Sequence, residues 1–330
     1  MDRKDQYQPP LVTTLFSPNY FEILNTYPVA RHAGSEIRRA ITLASQASDS
    51  FAVERFIRET YEDATNPDDK RKALALPWYL QELLWTASDE YTKNPDNYDV
   101  LVSQALRLGD VIFVTLNYDT ILDDVLSTYA PLTSIQSYVD HGRGWSLIKL
   151  HGSVNWGRRI QDREFNESYI YNPPADLRKV VKRDIELRPR RPGLDRLRRD
   201  SASPRYPAQW YYPALSVPVG GDEDLLNVPA SHKAFLRRQL ADADAVDVLV
   251  IGYSANDEEV LSLLAEKPGS VASCCVVCDT QANAIDAYAR MAAKVPIPSQ
   301  SARARGGGFS GFAQGSRIED FFDQVRRARG

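Results

Sequence analysis

An α/β chain built on a doubly wound, largely parallel sheet is predicted by three short apolar runs, each breaking into polar or glycine-bearing residues. Residues 110–114 (DVIFV) give way to Thr115-Leu116-Asn117-Tyr118-Asp119. Residues 147–150 (LIKL) give way to His151-Gly152-Ser153, and residues 246–251 (VDVLVI) to Gly252-Tyr253-Ser254. Such runs suit strands covered on both faces. Ligands of open α/β sheets bind beyond the carboxyl ends of the strands. Asn117, His151 and the Gly252-Ser254 turn are therefore expected at one edge of one sheet.

Taken in order, residues 1–36 read as irregular, punctuated by Pro9-Pro10, Ser17-Pro18 and Tyr27-Pro28. Apolar residues at three-to-four spacing then predict a helical insertion over about 37–108, broken at Asn66-Pro67 and Asn94-Pro95 into about four helices. A strand at 110–115, a helix at 119–128 and a strand at 146–150 form a βα unit. Residues 158–213 read as an irregular, basic insertion. Regular structure resumes with a helix at 231–241, a strand at 246–251, a helix at 256–265, a strand at 274–279 and a helix at 281–292. Gly306-Gly307-Gly308 reads as a flexible loop with the option of acting as a mobile lid, before a last helix at 317–327. The whole is expected to be a single domain.

Bulk properties narrow the function. At 330 residues the core is ample, and 40 Lys and Arg against 44 Asp and Glu give a net charge of −4, so no overall basic excess points to nucleic acid. No apolar stretch is long enough to span a bilayer, and the polar start MDRKDQ lacks the core of a secretory signal. The three cysteines, Cys274, Cys275 and Cys278, lie too close together for a disulfide framework. A reducing, cytoplasmic setting is expected. The Cys275-x-x-Cys278 spacing lacks a second pair and falls in an apparent strand, so no metal is expected.

Chemically, an imidazole can take a proton from water or a sugar hydroxyl, and a carboxamide both donates and accepts. His151 and Asn117 are thus the candidate base and positioning amide. Each has a structural competitor: Asn117 as a helix N-cap, Ser254 with Asp257 as a capping pair, and His151 as a satisfied buried histidine. Their joint placement at strand ends favours function. His32, His141 and His232 show no comparable setting.

The motifs Thr115-Leu116-Asn117-Tyr118-Asp119, Lys149-Leu150-His151-Gly152-Ser153-Val154-Asn155-Trp156 and Ile251-Gly252-Tyr253-Ser254 with Asp257 resemble the sirtuin-like NAD hydrolase domains of bacterial anti-phage defence. The likeness covers roughly residues 110–260, with weaker similarity on either side. It implies a Rossmann-like NAD site, with NAD as substrate, and cleavage between nicotinamide and ribose to give nicotinamide and ADP-ribose. It also implies an effector that depletes NAD, governed by a sensor protein partner or by homo-oligomer formation. Thr115, Asp119, Gly252, Ser254 and Asp279 are then expected to border the nucleotide, and His151 and Asn117 to act on it. One departure is plain. Members of that family open with a strand and a Gly-Ala-Gly-x-Ser loop, whereas Ala33-Gly34-Ser35, the only candidate here, follows no apolar strand and reads as a helix start.

The alternative is a non-catalytic module that binds NAD or ADP-ribose. A third class would use the arginines of residues 179–205 on nucleic acid. The interleaved Asp184, Glu186, Asp195 and Asp200 favour a solvated insertion instead.

Overall fold

The computed structural model describes residues 18–46, 65–91, 96–162, 164–188, 210–215, 230–255, 258–266, 271–298 and 302–329. It is a mixed α/β protein with two groups of parallel strands and one antiparallel sheet.

The amino-terminal part is helical earlier than expected. Helices α1 (Phe21–Asn25) and α2 (Pro28–Gln46) occupy a stretch read as irregular up to residue 36. Pro28 starts a helix, because proline at the first helical position loses no needed hydrogen bond. Ala33-Gly34-Ser35 therefore lies inside α2, not at its start. Helix α3 (Pro67–Tyr91) begins at the expected break: the Asn66 carbonyl oxygen Oδ1 accepts from the Asp69 N–H at 2.8 Å, with Pro67 first in the helix. Its residues 73–81 are all buried, against β-strands described below. Helix α4 (Asp96–Leu106) leads into the first strand. Residues 51–57, part of the helical pattern in the sequence, lie outside the described residues.

Strands β1 (Val111–Thr115) and β2 (Trp145–Lys149) pair in parallel, with Thr115 opposite Lys149. The short helices α5 (Ile121–Ser127) and α6 (Ile135–Tyr138) form the crossover. Further along, β6 (Val246–Ile251), β7 (Val271–Val277) and β8 (Ala302–Arg305) form a second parallel group in that order. Helices α8 (Ala230–Asp242), α9 (Glu258–Ala265) and α10 (Gln281–Ala292) precede and join its strands. After β8 come α11 (Gly308–Ala313) and α12 (Ser316–Arg329).

Between β2 and β6 the chain builds a sheet that the sequence did not suggest. Strands β3 (Gly152–Ile160), β4 (Val181–Leu187) and β5 (Trp210–Leu215) pair antiparallel in the order β4-β3-β5, with the four-residue helix α7 (Ser168–Tyr171) between β3 and β4. The supposed insertion at 158–213 is thus ordered where described. Strand β3, whose pairing register shifts along its length, contributes to two cores: Val154 and Ile160 pack with α2 and α3, and Trp156 with β1 and β2. Residues 189–205, which hold most of the basic segment, lie outside the described residues.

Both parallel groups point the same way. Helix α4 runs back along β1, so its first turn lies at the carboxyl end of that strand. There the Asn97 amide donates to Ser310 Oγ at 2.9 Å, and Tyr98 stacks edge-on against Phe309 at 4.9 Å. Residues 309 and 310 open the helix reached from β8 by the short Gly306-Gly307 turn, so the carboxyl ends of β1 and β8 share one edge. A single cluster on one face joins Val111 and Phe113 of β1 to Leu249 and Ile251 of β6, under Phe312 and Phe322. On the other face, Ile112, Ile148 and Leu150 pack with Leu236 of α8 and Leu263 of α9. Helices thus cover both faces. Yet β1 and β6 share no backbone hydrogen bond. The single sheet expected from the sequence is two groups side by side with an open seam, because no described strand lies between them.

Candidate functional site

The carboxyl ends of β1 and β2 carry Asn117 and His151, each two residues beyond the paired Thr115 and Lys149. Strand pairing therefore puts the two residues just past the ends of adjacent strands. His151 is half-buried and Asn117 exposed. The Tyr118 ring stands 6.0 Å from the His151 ring, centroid to centroid, tilted by 34°.

This edge is tightly fastened. The Leu150 N–H donates to Thr115 O at 3.1 Å, and the Val154 N–H to Tyr118 O at 2.9 Å. Ser153 Oγ donates to the same Tyr118 carbonyl at 3.3 Å. Beneath the loop, the ammonium of Lys149 donates to Asp119 O and forms an ion pair with Asp123 Oδ2 at 2.8 Å. The two side chains are 0% and 5% exposed. A buried charge must be paired and hydrogen-bonded to persist. Asp123 Oδ1 also accepts from the Tyr138 hydroxyl at 2.6 Å. Burial, with the Asp123 carboxylate beside it, holds that phenol well above its usual range.

Asn117 caps no helix. Thr120 is the N-cap residue of α5 and makes no side-chain capping bond, its hydroxyl donating to Asp124 Oδ2 at 3.2 Å; the Asp119 carboxylate instead accepts from the Ile121 N–H at 3.0 Å. Asp119 was expected to border a nucleotide, and its geometry gives it this turn to hold. Burial raises its pKa, and the Lys149 charge opposes that rise.

Gly152 has φ +83°, and a Cβ there would lie 2.2 Å from the Ala214 carbonyl oxygen. The close approach of β5 demands glycine beside the imidazole, in a conformation L side chains rarely adopt.

The second group supplies a looser edge. Gly252 has φ +67° and Ala255 has φ +57°, so the turn after β6 holds two left-handed residues, one of them not glycine. At Ala255, which has a Cβ, this conformation costs roughly 1–2 kcal/mol, and strain of this kind clusters at functional sites. Ser254 is exposed, and its carbonyl accepts from Arg290 Nη1 at 3.1 Å. Its expected capping partner, Asp257, lies outside the described residues. Asp279 follows β7, one strand further out, and accepts from Thr280 N–H at 2.8 Å and Asn283 Nδ2 at 2.7 Å. The Asn283 bond first, then the Thr280 N–H, hold its carboxyl below the usual range.

Gly306-Gly307-Gly308 is no lid. Gly307 N–H donates to Asp279 O at 2.9 Å and Gly308 N–H to Cys278 O at 2.8 Å. A Cβ on Gly306 would meet Gln281 N at 2.5 Å. Glycine serves here as a tight strand-to-helix turn.

A cavity of about 650 Å³ runs along the seam between β1 and β6, reached at its carboxyl end by Thr115, Asn117, Gly252 and Tyr253. Its size falls in the range of small-molecule sites. His151, Asp119, Ser254 and Asp279 do not line it. The fold therefore brings Thr115, Asn117 and Gly252 together around one space, with His151 past the neighbouring strand end and Asp279 outside the cavity lining.

Sequence reasoning missed Lys149 and His232. A lysine between Ile148 and Leu150 in a buried strand needs a carboxylate, and the Asp123-Asp124 pair in the crossover was the available signal. His232, read as unremarkable, is fully buried. Its Nδ1 faces the Lys149 N–H at 3.4 Å, and its ring lies 5.2 Å from that of Trp156. Burial pushes its pKa down to about 4.

The three cysteines are buried, and among the described residues no group of three or more His, Cys, Asp or Glu could hold a metal ion. Nor, among those residues, is any helix long and apolar enough to cross a membrane. No protein-family model matches this chain, and no curated protein matches it.

Proposed function

We propose that the chain is an NAD+ glycohydrolase on a Rossmann-like, doubly wound frame of the sirtuin-like kind. Water attacks the anomeric carbon of the nicotinamide ribose. The N-glycosidic bond breaks with its electron pair going to the pyridinium ring, which leaves as neutral nicotinamide. The proton lost by water goes to His151, and ADP-ribose is the second product. Asn117 holds a ribose hydroxyl or the attacking water. Thr115 and Gly252 border the nucleotide, with Ser254 and Asp279 further along the same edge and Asp119 shaping the nicotinamide end. Such a chain acts as a cytoplasmic effector that depletes NAD, controlled by a sensor partner or by self-assembly.

One observation carries this reading: a half-buried His151 and an exposed Asn117 each follow, two residues on, the carboxyl end of one of two paired parallel strands. The test is nicotinamide release from NAD+, followed by chromatography. His151→Ala and Asn117→Ala are each expected to slow it by about 10²-fold or more. Unchanged rates would refute the assigned roles.

A specific observation favours a second reading, a module that binds NAD or ADP-ribose without cleaving it. Ala33-Gly34-Ser35 is helix interior, so it offers no glycine loop whose N–H groups could cradle a pyrophosphate. Calorimetric binding of ADP-ribose with no nicotinamide release from NAD+ would establish that reading over the first.

A further inference from the structure

The seam between β1 and β6 has the chemistry of a strand position. In a parallel pair, alternate residues of a strand bond to neighbours on opposite sides. The Val111 N–H donates to Gly144 O and Thr115 O accepts from Leu150 N–H, so Ile112 and Val114 turn their backbone groups away from β2. The Gly252 N–H donates to Val277 O, so Leu249 and Ile251 turn theirs away from β7. All four residues line the cavity on the α8–α9 side, and all four also line a second cavity of about 270 Å³ on the α4–α12 side. The slot thus passes through the whole layer.

Its edges are exposed in the way an unfilled position requires. Val114 is 41% exposed, and all six residues of β6 are half-buried although their sequence, VDVLVI, is that of an interior strand. Each edge presents alternating N–H and C=O groups, partial charges of alternating sign. The partner whose charges complement both rows at once, about 4.8 Å from each, is a peptide backbone. The slot's walls are apolar on both faces, with Leu236 and Leu263 on one and Leu101, Phe321 and Val325 on the other. A side chain of either orientation would meet hydrocarbon.

We propose that this slot docks one β-strand of a partner polypeptide, about five or six residues long, apolar on both faces and parallel to β1 and β6. The strand would join the two parallel groups into one sheet. Its carboxyl end would emerge between Asn117 and Gly252, at the candidate site. The inference rests on edge geometry and is independent of the NAD reading.

Amide hydrogen exchange on the full chain tests it, with the synthetic peptide KKGVVILVGG as probe and its proline analogue KKGVPIPVGG as control. Without peptide, the amides of Ile112, Val114, Leu249 and Ile251 are expected to exchange fast. Saturating peptide is expected to slow them by at least ~100-fold, and the control peptide, which lacks the donors, to leave them unchanged. Leu249→Pro is expected to abolish the protection. Val114→Lys, a milder change at the exposed edge, is expected to weaken peptide binding by about tenfold or more. Absence of protection with the apolar peptide would overturn the proposal. So would protection already present without it: a concentration-independent signal would mean that the chain itself fills the slot, and a concentration-dependent one that a second copy does.

Discussion

Strands β2 and β6 are both short, both parallel to a neighbour, and both end in residues assigned to the candidate site. In β2 all five residues are buried, and the loop beyond it is tied to its neighbour by backbone bonds and a buried lysine. In β6 all six residues are half-buried, and the turn beyond it rests on left-handed residues. The more apolar of the two sequences is the more open in the fold. Burial is conferred by neighbours and not by a strand's own composition, so a strand that looks interior and is half-open marks a place where something else packs.

The fastened edge should break hardest. Lys149→Met leaves Asp123 buried without its cation, and denaturant unfolding is expected to show a loss of about 4 kcal/mol. If the variant unfolds at the parent midpoint, Lys149 is not what holds the loop. Gly152→Ala forces a methyl into the Ala214 carbonyl at a left-handed position, with a loss of roughly 3 kcal/mol expected in the same assay. A neutral result would mean that β3 and β5 separate easily.

The buried histidine behind that edge gives a pH signature. His232 has its folded pKa lowered to about 4 from an unfolded 6.5, so between those values the unfolded chain binds the extra proton. Its contribution is fully present above pH 6.5 and is lost as pH falls toward 4, on the order of 3 kcal/mol across the window. Unfolding midpoints measured from pH 7 to pH 4 should show this slope, and His232→Gln should remove it.

The open edge should respond least. No atom lies within 4 Å of a Cβ built on Gly252, so Gly252→Ala meets only the cost of its φ of +67°, roughly 1 kcal/mol. A much larger loss would show that this edge is as tightly held as the other, and the contrast between the two strands would disappear.

The parallel strands were legible because VIFV, LIK and VDVLVI announce themselves by continuous hydrophobicity; β6 runs from Val246 to Ile251 and α10 from Gln281 to Ala292, as the pattern predicts. The antiparallel sheet was not, since Arg158, Arg159, Arg183 and Glu186 sit within its strands and mask the apolar alternation. Some of these charges are satisfied only in three dimensions: Arg159 pairs with Glu186 at 2.8 Å, and the Arg188 guanidinium, just past β4, lies 4.3 Å from the centre of the Tyr211 ring. Pro28 and Gly306 misled for a related reason. Each reads as a breaker, yet the first opens a helix and the second permits a close approach of backbones. At the candidate site, Asn117 and His151 could be placed from strand ends alone. The Lys149–Asp123 pair was harder to place, because its signal is split between an apolar strand and a crossover helix 26 residues away.

The contact at Gly152 ties distant parts of the chain together. With the Ala214 carbonyl standing where a methyl group would otherwise sit, and Gly152 paired with Leu215, the residue next to the imidazole is seated directly on the antiparallel sheet. Any side chain at position 152 would have to push residues 210–215 away to fit.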